Sequence, residues 1–116
     1  MGHEKALRPE DLSRFVVDRL NAADVDGLVA LYEADAVLAL PGGRVATGSA
    51  EIRDAYADLV ADKPTFLPGH VLPTVRNGDL AMTATRLADG GVTVEVARRQ
   101  PDGSWLWVID QPGLLG

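Results

Sequence analysis

The chain has 116 residues, no cysteine, and 17 acidic against 11 Lys and Arg side chains, for a formal net charge of −6; 47% of it is apolar. Those values suit one soluble globular domain with a single core and are too apolar for a disordered chain. They exclude a disulfide scaffold, a thiolate metal site and a cysteine nucleophile. They also argue against nucleic acid as a partner, because phosphate contacts need clustered cations and Arg98-Arg99 is the only adjacent basic pair.

The segment before Pro9 lacks the apolar stretch of a signal peptide, and residues 1–8, His3 included, are expected to fray. Pro9, Glu10 and Asp11 form a first helical turn, where proline is tolerated and acids complement the helix dipole. Leu12, Phe15, Val16, Arg19 and Leu20 then share one helical face. Asn21-Ala22-Ala23 ends this helix. Asp24 is the expected N-cap of the next, with Val25, Leu28, Leu31 and Tyr32 on its apolar side. Val37 to Leu40 is a short extended run that Pro41-Gly42-Gly43 stops, and Arg44 to Thr47 pairs back on it. Ser49 is expected to cap a third helix carrying Ile52, Ala55, Tyr56 and Leu59 on one face, closed by Pro64.

From Phe66 onward the punctuation is that of antiparallel strands. Asn77-Gly78 is a two-residue hairpin signal, since both positions accept positive φ. Asp89-Gly90-Gly91 and Pro101-Asp102-Gly103 mark two further turns. Helices followed by strands predict an α+β domain over residues 1–116, with long strands that must twist and curl. No run reaches the roughly 18 apolar residues of a membrane span, so no membrane partner and a cytoplasmic setting are expected. No metal site and no cofactor are expected either; the two histidines, His3 and His70, do not make a His-rich cluster.

Leu20 to Tyr32, then Ala34-Asp35-Ala36-Val37, Pro41-Gly42-Gly43 and Gly48 through Ile52-Arg53, resemble the opening of SnoaL-like and ketosteroid-isomerase-like proteins of the nuclear transport factor 2-like superfamily. Val96 to Trp105 resembles the last hairpin of a small uncharacterised branch of it. The resemblance implies a cone-shaped curved antiparallel sheet wrapped on three N-terminal helices. It also implies an apolar pocket inside the cone and a homodimer through the outer sheet face. Its members include isomerases, cyclases, hydrolases, dehydratases and non-catalytic binding domains, so it fixes no activity.

One residue of register slip exchanges the two faces of a strand, so two readings of the inner face stand side by side. The resemblance turns Phe66, His70, Ala81, Thr83, Thr85, Glu95, Val108 and Asp110 inward with Tyr56, and Val92, Val94, Val96, Trp105, Trp107 and Ile109 outward. The pattern alone suggests the reverse, with the tryptophans inside and Glu95 and Asp110 in water. In the first reading Asp110, Glu95 and His70 are the candidate catalytic residues, and Tyr56, Phe66, Thr83, Val108, Leu40 and Val16 line the ligand site. The resemblance places Leu40 where ketosteroid isomerases carry their base, and Val16 where they carry an oxyanion tyrosine. Steroid isomerisation is therefore not expected. Asp110 corresponds to the last-strand acid/base of SnoaL-like cyclases, and Glu95 to an oxyanion acid. Two functions follow: a cofactor-free isomerase, cyclase or hydrolase acting on a small apolar metabolite, or a dimeric protein that binds such a ligand without turning it over.

Overall fold

Among the residues described, 3–114 of a computed structural model, the elements run α1 (Asp11–Asn21), α2 (Val25–Val29), β1 (Tyr32–Ala39), β2 (Val45–Thr47), α3 (Gly48–Val60), β3 (His70–Val71), β4 (Val75–Asn77), β5 (Leu80–Arg86), β6 (Val92–Arg99) and β7 (Trp105–Gln111). α1 is amphipathic as its sequence dictates, with Leu12, Phe15 and Leu20 buried. Arg19 is buried beside them. Its guanidinium stays satisfied by donating to Gly27 O at 2.7 Å and to Glu4 O at 2.5 Å. Asp24 caps α2, its Oδ1 accepting from the Gly27 N–H at 3.0 Å.

Three local expectations change. α2 stops at Val29, so Leu31 and Tyr32 do not extend its apolar face; Tyr32 opens β1 instead. The Trp107 N–H donates to Leu31 O at 2.8 Å, and this sheet pairing captures the chain where the periodicity would have continued the helix. Ser49 is not the cap of α3. The helix starts at Gly48 after extended Thr47, whose N–H donates to Glu51 Oε1 at 2.8 Å. Residues 1 and 2 lie outside the described residues, and residues 3–8 are seated against the fold. Ala6 is buried, with its carbonyl accepting from Trp105 N at 2.9 Å. Lys5 Nζ reaches Asp102 Oδ2 at 2.7 Å, and His3 Nε2 lies 2.8 Å from Asp24 Oδ2.

The strands form one curved sheet in the order β2-β1-β7-β6-β5-β3, with β4 also paired to β5. All pairings are antiparallel except β1 beside β7, which is parallel. Leu12, Leu28 and Ile52, one from each helix, are fully buried. No helix among the described residues is long and apolar enough to cross a membrane.

The register resolves the two readings of the inner face by satisfying half of each. In β6 and β7, Val96 is opposite Ile109, but the next pair is Ala97 with Trp107. Val108 is therefore the extra residue of a β-bulge, and the alternation of β7 inverts across it. Trp105 and Trp107 are buried before the bulge and Asp110 is buried after it, although strict alternation forbids that combination. The outward placement expected for the two tryptophans is thus corrected, and so is the solvent placement of Glu95 and Asp110 that alternation suggested.

Candidate functional site

Two neighbouring rows of the sheet build the inner wall. In the first, Ala81 pairs with Ala97, Ala97 with Trp107 and Trp107 with Tyr32. The two alanines leave room for the two large rings, whose centroids lie 5.5 Å apart at 59°. In the second, Thr83 pairs with Glu95, Glu95 with Asp110 and Asp110 with Leu38. This row places two carboxyls on adjacent strands under the helices, each only 4% exposed.

Burying a carboxyl disfavours its charged form, so each needs polar company. Glu95 Oε1 accepts from Thr83 Oγ1 at 2.7 Å. Asp110 Oδ2 accepts from Tyr32 Oη at 2.5 Å, and Tyr32 Oη lies 2.5 Å from Tyr56 Oη. A phenol has one proton. With Tyr32 donating to Asp110, the Tyr56 hydroxyl donates to Tyr32, and the chain Tyr56–Tyr32–Asp110 forms a directional relay.

Burial and the nearby Glu95 carboxylate raise the Asp110 carboxyl to about 7, against the partial pull of the Tyr32 hydrogen bond. Burial raises Glu95 as well, with the hydroxyls of Thr93 and Thr83 acting in the opposite direction. Both phenols are pushed up, first by burial and then by the charge of Asp110. At neutral pH the phenols stay protonated while Asp110 is divided between its two forms, as an acid/base group must be.

Asp110, Glu95 and Tyr56 line an open cavity of about 1250 Å³ between α1, α3 and the sheet, with Tyr32 behind them. Asp110, Glu95, Tyr56, Phe66, Leu40 and Val16, all named from the sequence, border it together. Thr83 does not; it is buried beneath Glu95 as its donor. Val108 does not either, being the bulge residue. His70 is exposed on the short strand β3, opposite Arg86, and is neither on the cavity wall nor bonded to Glu95. Leu59, Leu67, Val45 and Val71 make the cavity border apolar while remaining substantially exposed. The loop that carries Phe66 and Leu67 is clasped to the end of α1: Asn21 Nδ2 donates to Phe66 O at 2.9 Å and Phe66 N donates to Asn21 Oδ1 at 2.7 Å.

Sequence reasoning missed Tyr32, and its resemblance-based register, though not the pattern alone, turned Trp107 outward. Tyr32 was hidden because its spacing from Leu28 and Leu31 fits a helix. That Trp107 and Asp110 share the inner face was hidden because nothing in the sequence around Val108 announces a bulge.

A curved sheet closed by three helices, with a carboxyl–phenol relay on its concave face, defines a cone-fold domain with a polar floor in an apolar cavity. Residues 12–110 match the model of the SnoaL-like domain, and the chain belongs to that family. Solved structures agree on the fold. A ketosteroid isomerase-like protein from Erwinia carotovora atroseptica matches at 23% identity and TM-score 0.71, over 87% of this chain and 88% of that one. An NTF-2-like protein of unknown function from Shewanella oneidensis matches at 20% identity and TM-score 0.69, over 87% and 92%. A protein of unknown function with a cystatin-like fold from Nostoc punctiforme matches at 18% identity and TM-score 0.68, over 88% and 84%. None of the curated proteins matches this chain.

Proposed function

We propose that the chain takes an uncharged, mostly apolar small molecule into the cone, and that Asp110 moves a proton on it without a cofactor. The observation that carries this reading is a buried carboxyl on the cavity wall, held near neutrality and backed by the Tyr32–Tyr56 relay. The chemistry it favours is enolisation. The Asp110 carboxylate takes the proton from the carbon next to a carbonyl, the electron pair moves onto the carbonyl oxygen, and the carboxylic acid returns its proton to the same or a conjugated carbon. An isomerase or a cyclase would use this step. Leu40 and Val16 border the cavity, and the resemblance sets them where a steroid isomerase carries its base and its phenol, which keeps that activity outside the proposal.

The test uses an enolisable aromatic ketone, 2-acetonaphthone, in deuterated buffer near pH 7. Deuterium should enter its methyl group faster with the wild-type protein than with Asp110→Asn. Equal incorporation with both proteins and with buffer alone would overturn the catalytic reading and leave the alternative, a domain that binds its ligand without turning it over.

A second part of the proposal concerns assembly. Val75, Met82, Val96 and Ile109 lie side by side across β4, β5, β6 and β7 on the face opposite the carboxyls. Val75, Met82 and Ile109 are about half exposed or more. An apolar row of this kind favours cover by a second copy of the chain. Sedimentation at micromolar concentration should give a dimer, and a monomer would remove this part.

A further inference from the structure

Beyond the carboxyl row, the concave face carries a third row. Val71 of β3 pairs with Thr85 of β5, and Thr85 with Thr93 of β6; all three border the cavity. Thr93 stands two residues before Glu95 on the same face of β6, so the two rows are roughly 7 Å apart at ~3.3 Å per residue.

The two hydroxyls of this row differ. That of Thr93 serves the Glu95 carboxyl and favours its charged form. Thr85 is 6% exposed, yet its hydroxyl makes no hydrogen bond among the described residues. It is not sealed in either, because among those residues Trp107 Nε1 is the buried side-chain polar atom that lacks both a partner and contact with solvent. The other branch of Thr85 is covered. A β-carbon on Gly69 would lie 2.5 Å from Thr85 Cγ2 and 2.7 Å from Arg86 O, so a glycine is what lets the loop before β3 close over that methyl. With the methyl under Gly69 and the hydroxyl unpaired but reached by solvent, Thr85 Oγ1 faces the cavity that its side chain borders.

The consequence appears when the cavity fills. Water satisfies the hydroxyl of the empty site. A ligand that reaches the third row displaces that water, and unless it brings a polar atom of its own it leaves the hydroxyl unpaired, at a cost on the order of 1–3 kcal/mol. A hydroxyl both donates and accepts, so a second hydroxyl matches it. An anion does not suit this place, with the acids Glu95 and Asp110 in the adjoining row.

We infer that Thr85 is a ligand-binding residue whose hydroxyl hydrogen-bonds a neutral hydroxyl at the far end of the molecule in the cone, so that the substrate class is an apolar hydroxyketone with its enolisable carbon at Asp110 and its second oxygen one row away. This inference rests on the proposal that the cone is a small-molecule site, and it adds a second point at which the ligand is read.

Two ketones of similar shape test it: 6-hydroxy-2-acetonaphthone and 6-methyl-2-acetonaphthone, which has a methyl in place of the hydroxyl. Affinities are measured at about pH 6, where the phenol is neutral. Thr85→Val removes the hydroxyl and keeps the branched shape, whereas Thr85→Ser keeps the hydroxyl. Thr85→Val should bind the hydroxyketone about 3- to 10-fold more weakly than wild type, the range of one net hydrogen bond, and the methyl ketone at least as tightly. Thr85→Ser should retain the wild-type ratio of the two affinities. In the wild-type protein, nuclear Overhauser contacts should join the ring protons beside the ligand hydroxyl to the methyl groups of Val71 and Thr93. If both ketones bind and Thr85→Val changes neither affinity or weakens both alike, Thr85 only packs and the inference falls with the cone reading intact. A Thr85→Ser ratio as low as that of Thr85→Val, or ring-proton contacts only to residues away from this row, overturns it too. Binding of neither ketone to the wild-type protein overturns the cone reading itself.

Discussion

The two faces of the sheet carry opposite chemistry at the same strand positions. On the concave face, Thr83, Glu95 and Asp110 form a polar row under the helices; one residue along, on the convex face, Met82, Val96 and Ile109 form an apolar row in which Met82 and Ile109 are about half exposed and Val96 is partly buried. A monomeric half-buried sheet ordinarily shows the reverse, apolar toward the helices and polar toward water. The inversion teaches that neither row serves the stability of an isolated chain. The acids inside cost desolvation, and the aliphatic side chains outside leave apolar area uncovered.

Breaking the inner row should give the largest effect. The folded-state value of Asp110, about 7, lies above the ordinary 3.8. The stability linked to this group is therefore fully present below about pH 4 and is lost as the pH rises through 7. Asp110→Asn abolishes that loss. Urea unfolding should show the variant more stable than wild type by roughly 3–4 kcal/mol at pH 8, and close to wild type at pH 4. A variant less stable at pH 8 would mean that the inner carboxyl is not desolvated.

Breaking the outer row should separate copies and spare the cone. Met82→Lys combined with Ile109→Lys should weaken self-association by about a hundredfold or more in sedimentation equilibrium, since two desolvated cations replace apolar cover. The circular dichroism spectrum should not change. Unaltered association would move the dimer contact to another surface.

Tyr32→Phe sharpens the contrast by removing the one hydroxyl that donates to Asp110 while keeping the packing on Trp107. At pH 8 it should cost about 1–3 kcal/mol of stability, the penalty of leaving a charged acceptor unpaired. It should also move the Asp110 titration upward, a response that lost packing alone does not produce. Asn21→Ala, which releases both hydrogen bonds to Phe66, should have the smallest effect, about 1 kcal/mol. Amide hydrogen exchange at Phe66 should accelerate while β6 and β7 are unaffected.

Legibility in the sequence follows the same division. Turns and caps depend on local chemistry and were readable: Gly78, Gly90 and Gly103 all adopt positive φ at the turns their dipeptides announce, and Asp24 caps α2. The family likeness was readable for the same reason, through short motifs in order. Face assignment was not, because it depends on pairing between distant strands. The Val108 bulge arises where β7 meets β6, and it reconciles buried tryptophans with a buried Asp110 in a way that alternation cannot express. Tyr32 fitted a helical spacing until pairing with β7 claimed it. His70 was attractive as the sole histidine inside the expected fold, yet a two-residue edge strand leaves it in solvent.

The most direct test is carbon NMR of the Asp110 side-chain carboxyl through a pH titration of the wild-type protein, with Asp110→Asn to assign the signal. A midpoint near 7 is the predicted result. A midpoint near 4, that of a carboxyl in water, would contradict a buried proton carrier in the cone.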